Sequence, residues 1–273
     1  MTNAIIISAS SGIGEALGKS WAQKGWKVFG TYRTKSDSVN ELERDFGVSF
    51  VPCDLRSTPS IEGACRHLKQ ICPVWDVLVF ATGSLDPIGP FEKISFDEWE
   101  KSIQVNFIQQ MRILHALLPN RARTASREPC VLLFAGGGVN NAVVNYSSYT
   151  ISKISLTKIC ELLDAEMPDV RFAIVGTGWV KTKIHEATLR AGAEMAGINF
   201  QRTEEKFKSS DWVPMEQVIE CCTWIATTSS KGVRGRNFSV THDAFGDPAL
   251  EKILERNPDM YKLRRSNNSW SRT

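Results

Sequence analysis

Short apolar runs alternate along the chain with longer segments in which apolar residues recur at helical spacing. Seven of the short runs predict β-strands: Ala4–Ser8, Lys27–Thr31, Ser49–Pro52, Asp76–Ala81, Cys130–Ala135, Arg171–Gly176 and Asn237–Val240. Several of them, such as AIIIS, VLVF and VLLF, are apolar almost throughout. Such runs are typical of central strands in a parallel sheet that is covered on both faces.

Amphipathic segments between these runs predict helices at Gly14–Lys24, Ser36–Phe46, Pro59–Ile71, Phe96–Leu118, Tyr149–Glu166 and Pro214–Ala226. Strand and helix alternate regularly, which predicts an α/β fold with a doubly wound parallel sheet of Rossmann type, about seven strands with helices on both faces. No internal repeat or low-complexity linker divides the chain, so residues 1–273 are predicted to form a single domain.

Composition narrows the class of protein. The net charge of +3, without a basic stripe, argues against a nucleic-acid partner, and no apolar run approaches the roughly 20 residues of a membrane span. The seven cysteines are scattered without a CxxC pair, and the N-terminus lacks the features of a secretion signal. The four isolated histidines predict no metal site. These features indicate a cytoplasmic protein whose partner is a small molecule.

The first predicted strand leads into ASSGIGEALGKS, a glycine-containing turn that opens a helix. Such a turn lets a pyrophosphate approach the backbone and rest on the helix N-terminus. Gly12 and Gly14 would permit that approach, and Ser10 and Ser11 would add hydroxyl donors. Two glycines in a strand–helix turn can also serve tight packing alone, and this stretch by itself leaves both interpretations open.

The second predicted strand ends in GTYRTKS. In dinucleotide-binding folds an acidic residue at this point binds the free ribose 2′-hydroxyl of NAD, whereas an arginine accommodates the 2′-phosphate of NADP. Here Tyr32 and Arg33 occupy it, and no acid occurs before Asp37. The sequence therefore predicts NADP(H) as the cofactor, although Arg33 could also be an ordinary solvated loop charge.

Further motifs follow one another in a fixed order along the chain. The first three are Ser8–Gly14, in which Ala9 is the second residue, Asp54 after the third strand, and Phe80-Ala81-Thr82-Gly83 after the fourth. The others are Asn106 in the long helix, Tyr149 with Lys153, and Thr177-Gly178 followed by Trp179, Val180 and Thr182. From residue 4 to about 245 this order resembles the short-chain dehydrogenase/reductase family in its short, single-domain form. The family motif TGxxxGxG departs at Ala9, and NNAG keeps only Gly83.

The resemblance implies a dinucleotide-binding domain and assigns cofactor contacts to Ser8, Ser10, Ser11, Gly12, Ile13, Gly14, Tyr32, Arg33, Asp54, Leu55, Ala81, Thr82, Gly83, Tyr149, Lys153, Gly178, Trp179, Val180 and Thr182. It implies Tyr149, Lys153 and Asn106 as catalytic residues. In the family, the asparagine anchors a water, the lysine holds the nicotinamide ribose and the acid after the third strand contacts the adenine.

Tyr149 and Lys153 are four residues apart, so they lie on one face of a helix, one turn apart. A phenol with its ordinary pKa of about 10 is a sluggish acid–base group at neutral pH. The neighbouring Lys153 ammonium and the positive ring of the oxidised cofactor would both favour the phenolate, so we expect them to lower that pKa. The expected activity is an NADP(H)-dependent oxidoreductase that reduces a carbonyl or oxidises the alcohol.

The family carries a serine roughly thirteen residues before its tyrosine, and Gly136 stands there. Loss of one such donor typically costs about 10²–10³ in rate. Backbone N–H groups of Gly136–Gly138, side chains of Asn140, Asn141 or Ser147, or a substrate hydroxyl could replace it, while the glycines would also enlarge the pocket. The predicted substrate contacts are Gly136, Gly137, Asn141 and Tyr149. The alternative is a cofactor-binding sensor or assembly partner with little or no turnover.

By resemblance, residues 183–212 form the substrate lid. Lysine and arginine residues recur there and just before it, which favours a small polar substrate, such as a sugar or an activated sugar. Family members pair through two helices that correspond to segments 107–118 and 154–167, so a homodimer or homotetramer is expected. Residues 248–273 form a C-terminal extension without recognisable chemistry.

Overall fold

The protein, described here from a computed structural model over residues 1–123 and 127–266, is built on one parallel sheet. Its strands are β1 (Asn3–Ile7), β2 (Lys27–Tyr32), β3 (Ser49–Pro52), β4 (Val77–Phe80), β5 (Cys130–Phe134), β6 (Arg171–Gly176) and β7 (Arg236–Ser239). Their order is β3-β2-β1-β4-β5-β6-β7, and every neighbouring pair is parallel. The predicted doubly wound sheet of Rossmann type is confirmed.

The helices are α1 (Gly12–Gln23), α2 (Asp37–Phe46), α3 (Thr58–Ile71), α4 (Phe96–Ile103), α5 (Gln109–Leu117), α6 (Ser147–Glu166), α7 (Glu186–Ala196), α8 (Ile198–Lys208), α9 (Met215–Thr227) and α10 (Pro248–Arg256). The predicted helix over Phe96–Leu118 is interrupted, because a π-helical stretch, Gln104–Ile108, joins α4 to α5. The periodicity did not predict α7 and α8.

Alternate residues of β1 face the two sides of the sheet, as the pleat requires. Ala4 and Ile6 pack in the cluster that contains Leu17 of α1 and Val218 of α9. Ile5 and Ile7 pack in the opposite cluster, with side chains of α3, α5 and α6. Burial on both faces explains why the central strands are apolar throughout rather than alternating.

The strand order reverses at β1, which has β2 on one side and β4 on the other. In open α/β sheets the crevice outside the carboxyl ends of the strands at such a reversal is the usual ligand site. The turn after β1 and the segment after β4 therefore lie beside this crevice, where the sequence motifs predicted the cofactor.

The C-terminal segment after α10 is tied to the edge of the sheet. Asn237 N, on the edge strand β7, donates to Tyr261 O at 2.9 Å. Arg264 forms an ion pair with Glu161 of α6, with a 2.6 Å contact, and its hydrogen bonds hold the pKa of Glu161 at about 2. The end of the predicted extension, residues 267–273, lies outside the described residues.

Candidate active site

Lys153 is a buried cation at the carboxyl edge of the sheet. Its side chain is 2% exposed, and Nζ donates to Thr82 O at 3.2 Å and to Phe134 O at 3.0 Å. Thr82 follows β4, and Phe134 ends β5. Burying an ammonium is costly unless it is hydrogen-bonded, so these two carbonyls account for its position. They also fix the first turns of α6 against the sheet.

Tyr149 lies one turn before Lys153 on α6, and Lys153 Nζ is 5.6 Å from the centre of its ring. The predicted pair is therefore brought together. The pKa values, however, correct one expectation. Burial raises the pKa of Tyr149 to about 12 and lowers the pKa of Lys153 to about 8. Desolvation by burial causes both shifts, so the net lowering of the pKa of Tyr149 that the pair predicted is not found.

The ring of Tyr149 lies between two glycines that follow neighbouring strands. A Cβ atom on Gly136 would stand 2.7 Å from Tyr149 Cε1, and a Cβ atom on Gly83 would stand 3.9 Å from Tyr149 Cε2. The expectation that the glycine at 136 enlarges a pocket is wrong, because the phenol ring itself takes the space that a side chain would need.

Asn106 lies in the π-helical stretch and is fully buried. Its Oδ1 accepts from Ser84 N at 2.9 Å, while Nδ2 donates to Ser84 O at 2.9 Å and to Ser102 Oγ at 3.1 Å. Its backbone O accepts from Gln110 Nε2 at 2.8 Å. Asn106 thus fastens the segment that follows Gly83 to the helix. Its expected water contact stays a prediction.

The turn after β1 leaves the N-terminus of α1 open to an anion. Ser11 precedes the helix but makes no side-chain cap, so no side chain of that residue satisfies the first N–H groups. Gly12 has a positive φ of 55°, and a Cβ atom on Gly14 would stand 2.3 Å from Ser8 O. Open backbone donors at a helix N-terminus fit a pyrophosphate.

Ser8 closes this turn against the strands beside it. It adopts a left-handed φ of 66°, its N donates to Thr31 Oγ1 at 2.9 Å, and its hydroxyl is 2.7 Å from Thr82 Oγ1. With Gly12 and Gly14 as its later glycines, the motif TGxxxGxG has its first glycine at Ser8, so the expected departure at Ala9 is wrong, and the left-handed φ of Ser8 agrees with this register. Ala9 is fully buried, and its N donates to Thr31 O at 2.9 Å. The methyl group of Ala9 is therefore accommodated within the core.

Thr182 reaches the same turn from the segment after β6: its Cγ2 would lie 3.4 Å from a Cβ atom on Gly12. The residues before it lie differently. Val180 is buried, whereas Trp179 is 38% exposed and stacks on His185 with ring centres 4.9 Å apart. His185 bonds Val180 O through Nε2 at 3.0 Å, and burial lowers its pKa.

The predicted adenosine contacts lie at the ends of β2 and β3. Tyr32 packs edge-on against Phe50. Arg33 is exposed and has no ion pair within the described ranges. Asp54 is held by Arg56, with contacts of 2.7 Å and 3.0 Å, and this partner, together with a smaller contribution from Arg33, lowers the pKa of Asp54. The expected adenine contact of Asp54 therefore competes with Arg56.

Segment 183–212, in which α7 and α8 lie, packs its apolar side chains around Tyr149. The shared cluster contains Leu85, Ile88, Val143, Tyr146, Ile184, Ala187, Ala191, Ala196 and Phe200. The basic side chains that favoured a polar substrate are mostly exposed: Lys181, Lys183, Arg190, Arg202 and Lys208. They are on the outer surface of the segment because its inner face is used for packing.

Three hydrogen bonds fasten this segment to the loop before α6. Tyr146 Oη lies 2.7 Å from Thr188 Oγ1, Asn145 Nδ2 donates to Met195 O at 2.9 Å, and Asn199 Nδ2 donates to Val144 O at 2.9 Å. Sequence reasoning missed these contacts. They join residues 42 to 55 positions apart, and no local pattern signals such pairs.

The side-chain candidates to replace the family serine are not gathered around Tyr149. Asn140 and Asn141 are exposed and line a shallow surface groove with Thr150 and Ile151, and Tyr149 is not among the residues that line this groove. The hydroxyl of Ser147 accepts from Trp99 Nε1 at 3.0 Å. The predicted substrate contact of Asn141 stays a prediction.

Over residues 1–123 and 127–266 no group of three or more His, Cys, Asp or Glu side chains is arranged to hold a metal ion. In the same ranges, no helix is long and apolar enough to cross a membrane.

Comparison with known proteins decides the family. Residues 7–242 match the family model described as enoyl-(acyl carrier protein) reductase, which is a model of short-chain dehydrogenases. The chain belongs to the short-chain dehydrogenase/reductase family. As this family consists of oxidoreductases, and relatives carry dehydrogenase names, the chain is an oxidoreductase, as the sequence predicted.

Curated relatives of this reductase-family chain include the NADP-dependent 3-hydroxy acid dehydrogenase YdfG of Escherichia coli K12, which is 25% identical over 241 residues, with 82% of this chain and 88% of that protein covered. A probable NADP-dependent dehydrogenase of Haemophilus influenzae is 23% identical over 230 residues, covering 82% and 87%.

Solved structures share the fold. The short-chain dehydrogenase/reductase YIR035C of Saccharomyces cerevisiae has a TM-score of 0.79 at 19% identity, covering 92% of this chain and 98% of that one. A variant of the actinorhodin polyketide ketoreductase, solved with NADPH, has a TM-score of 0.74 at 20% identity, covering 88% and 95%.

Proposed function

We propose that the chain reduces the carbonyl group of a small substrate with NADPH, or oxidises the corresponding alcohol with NADP⁺, and that Tyr149 is its proton donor. The observation that carries this proposal is the pair at the crevice: Tyr149 beside Lys153, whose ammonium is held by the carbonyls of Thr82 and Phe134. The i, i+4 spacing brings the two residues together on the helix, and the long-range hydrogen bonds of Lys153 hold them at the crevice. A Tyr and a Lys that lay on a helix surface by chance would not need both.

The cofactor is NADP(H), in keeping with relatives named NADP-dependent and with related structures that contain NADPH. Its pyrophosphate fits the open N-terminus of α1 and the turn of Gly12, and Arg33 is the group for the 2′-phosphate. The bound cofactor supplies the hydride. We propose the other residues that the sequence analysis assigned to the cofactor as further cofactor-binding residues.

Proton transfer follows from the two pKa values. At pH 7 the phenol of Tyr149, whose pKa is raised to about 12, carries its proton and can donate it to the oxygen of the reacting carbonyl. Lys153, whose pKa is about 8, is still mostly charged at that pH. Its ammonium, 5.6 Å from the ring centre, would stabilise the phenolate that remains.

We propose that Gly136 occupies the position of the family serine, so the substrate oxygen has one side-chain donor fewer than in the family. Tyr149 supplies the remaining side-chain donor, with backbone N–H groups of Gly136 and Gly137 beside it. The alternative, a cofactor-binding sensor or assembly partner, is not favoured. Lys153 is buried at the crevice with two hydrogen-bond acceptors, and Tyr149 lies beside it.

Segment 183–212 is proposed as the substrate lid of a single domain spanning residues 1–273. Its inner face is apolar around Tyr149, so the reacting end of the substrate is best matched by apolar neighbours, and a polar group on the substrate would face the charged outer surface. A small polar substrate such as a sugar or activated sugar remains the prediction from sequence. The names of the relatives make 3-hydroxy acids the first compounds to test.

The test is turnover. NADPH and NADH are titrated into the purified protein by fluorescence, and absorbance at 340 nm is then followed against 3-keto acids, sugars, aldehydes, simple ketones and an enoyl thioester. Saturable oxidation of NADPH by at least one carbonyl compound is the expected result. Tight NADPH binding with no turnover, or turnover only of a carbon–carbon double bond in an enoyl thioester, would overturn the proposal.

Replacing Arg33 by alanine is expected to raise the Kd for NADPH by roughly 10–100-fold and to leave the Kd for NADH almost unchanged. A charge-assisted hydrogen bond to phosphate is worth about 1.5–3 kcal/mol, and NADH lacks that phosphate. Arg44→Ala is the matched control, since Arg44 is an exposed arginine of α2 paired with Asp45. Equal losses for both cofactors would show that Arg33 does not read the 2′-phosphate.

We propose a homodimer, or a homotetramer that contains it, built on the exposed apolar side chains of the α4–α6 face: Phe96, Ile108, Ile151 and Leu162, which are 37–61% exposed. Ile151→Glu is expected to yield a monomer in analytical ultracentrifugation, because it would bury a carboxylate in the contact. Ile253→Glu, at a similarly exposed isoleucine of α10, is the control. A monomeric wild-type protein would contradict the assembly.

We also propose that the protein is cytoplasmic. All seven cysteines are free and buried, which is usual for a reducing compartment.

A further inference from the structure

Gly136 meets the reacting side chain more closely than any other glycine of the crevice. A Cβ atom built on it would lie 2.7 Å from Tyr149 Cε1, 3.0 Å from Tyr149 Oη and 2.8 Å from Lys153 Cγ. Two of these separations are shorter than real Cβ contacts, so any side chain at this position would require the phenol or the lysine stem to move.

The backbone does not explain this glycine. Gly136 is not among the residues with positive φ, whereas Gly138 has a φ of 93°. An alanine or a serine at 136 could therefore adopt the local conformation, and what excludes it is the space taken by the ring of Tyr149 and the stem of Lys153. Gly63, in α3 and away from the crevice, also lacks a positive φ, and a Cβ atom there would meet only Arg66 Nη2, at 4.0 Å.

We infer that Gly136 is a positioning residue: its missing side chain allows the phenol of Tyr149 to lie against the carboxyl end of β5, between Gly136 and Gly83. This inference rests on the proposed function, in which Tyr149 is the proton donor. It has a consequence opposite to what the resemblance implies. A serine restored at 136 displaces Tyr149 instead of adding a second donor, so it lowers activity.

The experiment compares Gly136→Ala, Gly136→Ser and the matched control Gly63→Ala. Displacement of a reacting group by about 1 Å can cost roughly 10²-fold. We expect both Gly136 variants to lower kcat by about 10–100-fold with a smaller change in KM for NADPH, and Gly63→Ala to stay within about twofold. A kcat for Gly136→Ser equal to or above wild type would overturn the inference.

A second readout does not depend on turnover. The chain has four tyrosines, so protein labelled with [ζ-¹³C]tyrosine gives a small set of signals, and Tyr149→Phe identifies the one from Tyr149. Displacement toward solvent relieves the desolvation that raises its pKa to about 12, so its titration in the Gly136 variants is expected to move toward about 10. An unchanged titration would contradict the displacement, whether or not a substrate is known.

A double-mutant cycle covers the case in which Gly136→Ala is poorly folded. Overpacking should lower the Tm of the single variant by roughly 2–10 °C. In a Tyr149→Ala background the obstructing ring is gone and only the stem of Lys153 has to move, into the space that the ring leaves, so the same substitution should lower Tm much less. Equal losses in the two backgrounds would show that Gly136 does not act through Tyr149. Loss of this coupling sinks the inference alone, whereas failure of wild type to use NADPH sinks the proposed function.

Discussion

Replacing Tyr149 by phenylalanine lowers kcat by about 10²–10⁴-fold and leaves the Kd for NADPH within a few-fold of wild type. This is the range expected when a general acid is removed. The substitution deletes only the hydroxyl group. The ring edge that lies against Gly136 and Gly83 is retained, so the packing of the crevice should not change. Stopped-flow measurement of NADPH oxidation and fluorescence titration give the two quantities.

Tyr261→Phe is the control for loss of a hydroxyl. Tyr261 lies in the C-terminal segment, where its hydroxyl bonds Asp243, and it is outside the crevice. We expect wild-type kcat in this variant. Wild-type turnover in Tyr149→Phe would remove the central residue of the proposed mechanism, and it would make another group the proton donor.

Lys153→Met has the second large effect, a loss of about 10²–10³-fold in kcat, comparable to removing one electrostatic stabiliser of a transition state. The variant loses the ammonium that would stabilise the phenolate, and it leaves the carbonyls of Thr82 and Phe134 without their donor. Lys158→Met, at an α6 lysine that is 45% exposed and paired with Glu161, is the matched control and should retain activity.

The same variant tests the lowered pKa of Lys153 through stability. Between about pH 8 and pH 10.5 the folded protein holds this lysine neutral while the unfolded chain still binds the proton. The unfolded state binds more protons, so the free energy of unfolding of wild type, relative to Lys153→Met, rises with pH across this window. The rise should be at most about 3 kcal/mol. Urea unfolding at pH 7, 9 and 10.5 measures it, and a difference independent of pH would contradict the shift.

The sequence located the strands because buried parallel strands are continuous apolar runs bounded by turn residues. It predicted Tyr149, Lys153 and Asn106 as catalytic residues, and Gly136 in place of the family serine, because these motifs occur at fixed spacings in the family to which the chain belongs. The i, i+4 spacing alone determined that Tyr149 and Lys153 share a helix face. These features depend on residues that are near one another along the chain.

The structure corrected the sequence where distant segments meet. Asn106 lies in a π-helical stretch, and its side chain is hydrogen-bonded to Ser84, 22 residues away. Helices α7 and α8 were not predicted, because their charged residues obscure a narrow apolar face in the sequence pattern. In addition, Gly192, with a φ of 76°, interrupts α7. That apolar face became evident only through its contacts with Tyr149 and Tyr146.

Sequence by itself therefore determined the fold class and the family, and it predicted Tyr149 and Lys153 as the reacting pair. Only the tertiary structure decided the direction of their pKa shifts, because desolvation depends on every segment that covers a group. Only the tertiary structure showed that the ring of Tyr149 fills the space beside Gly136. A sequence shows which side chain is missing at a position, but the atoms that take its place come from another part of the chain.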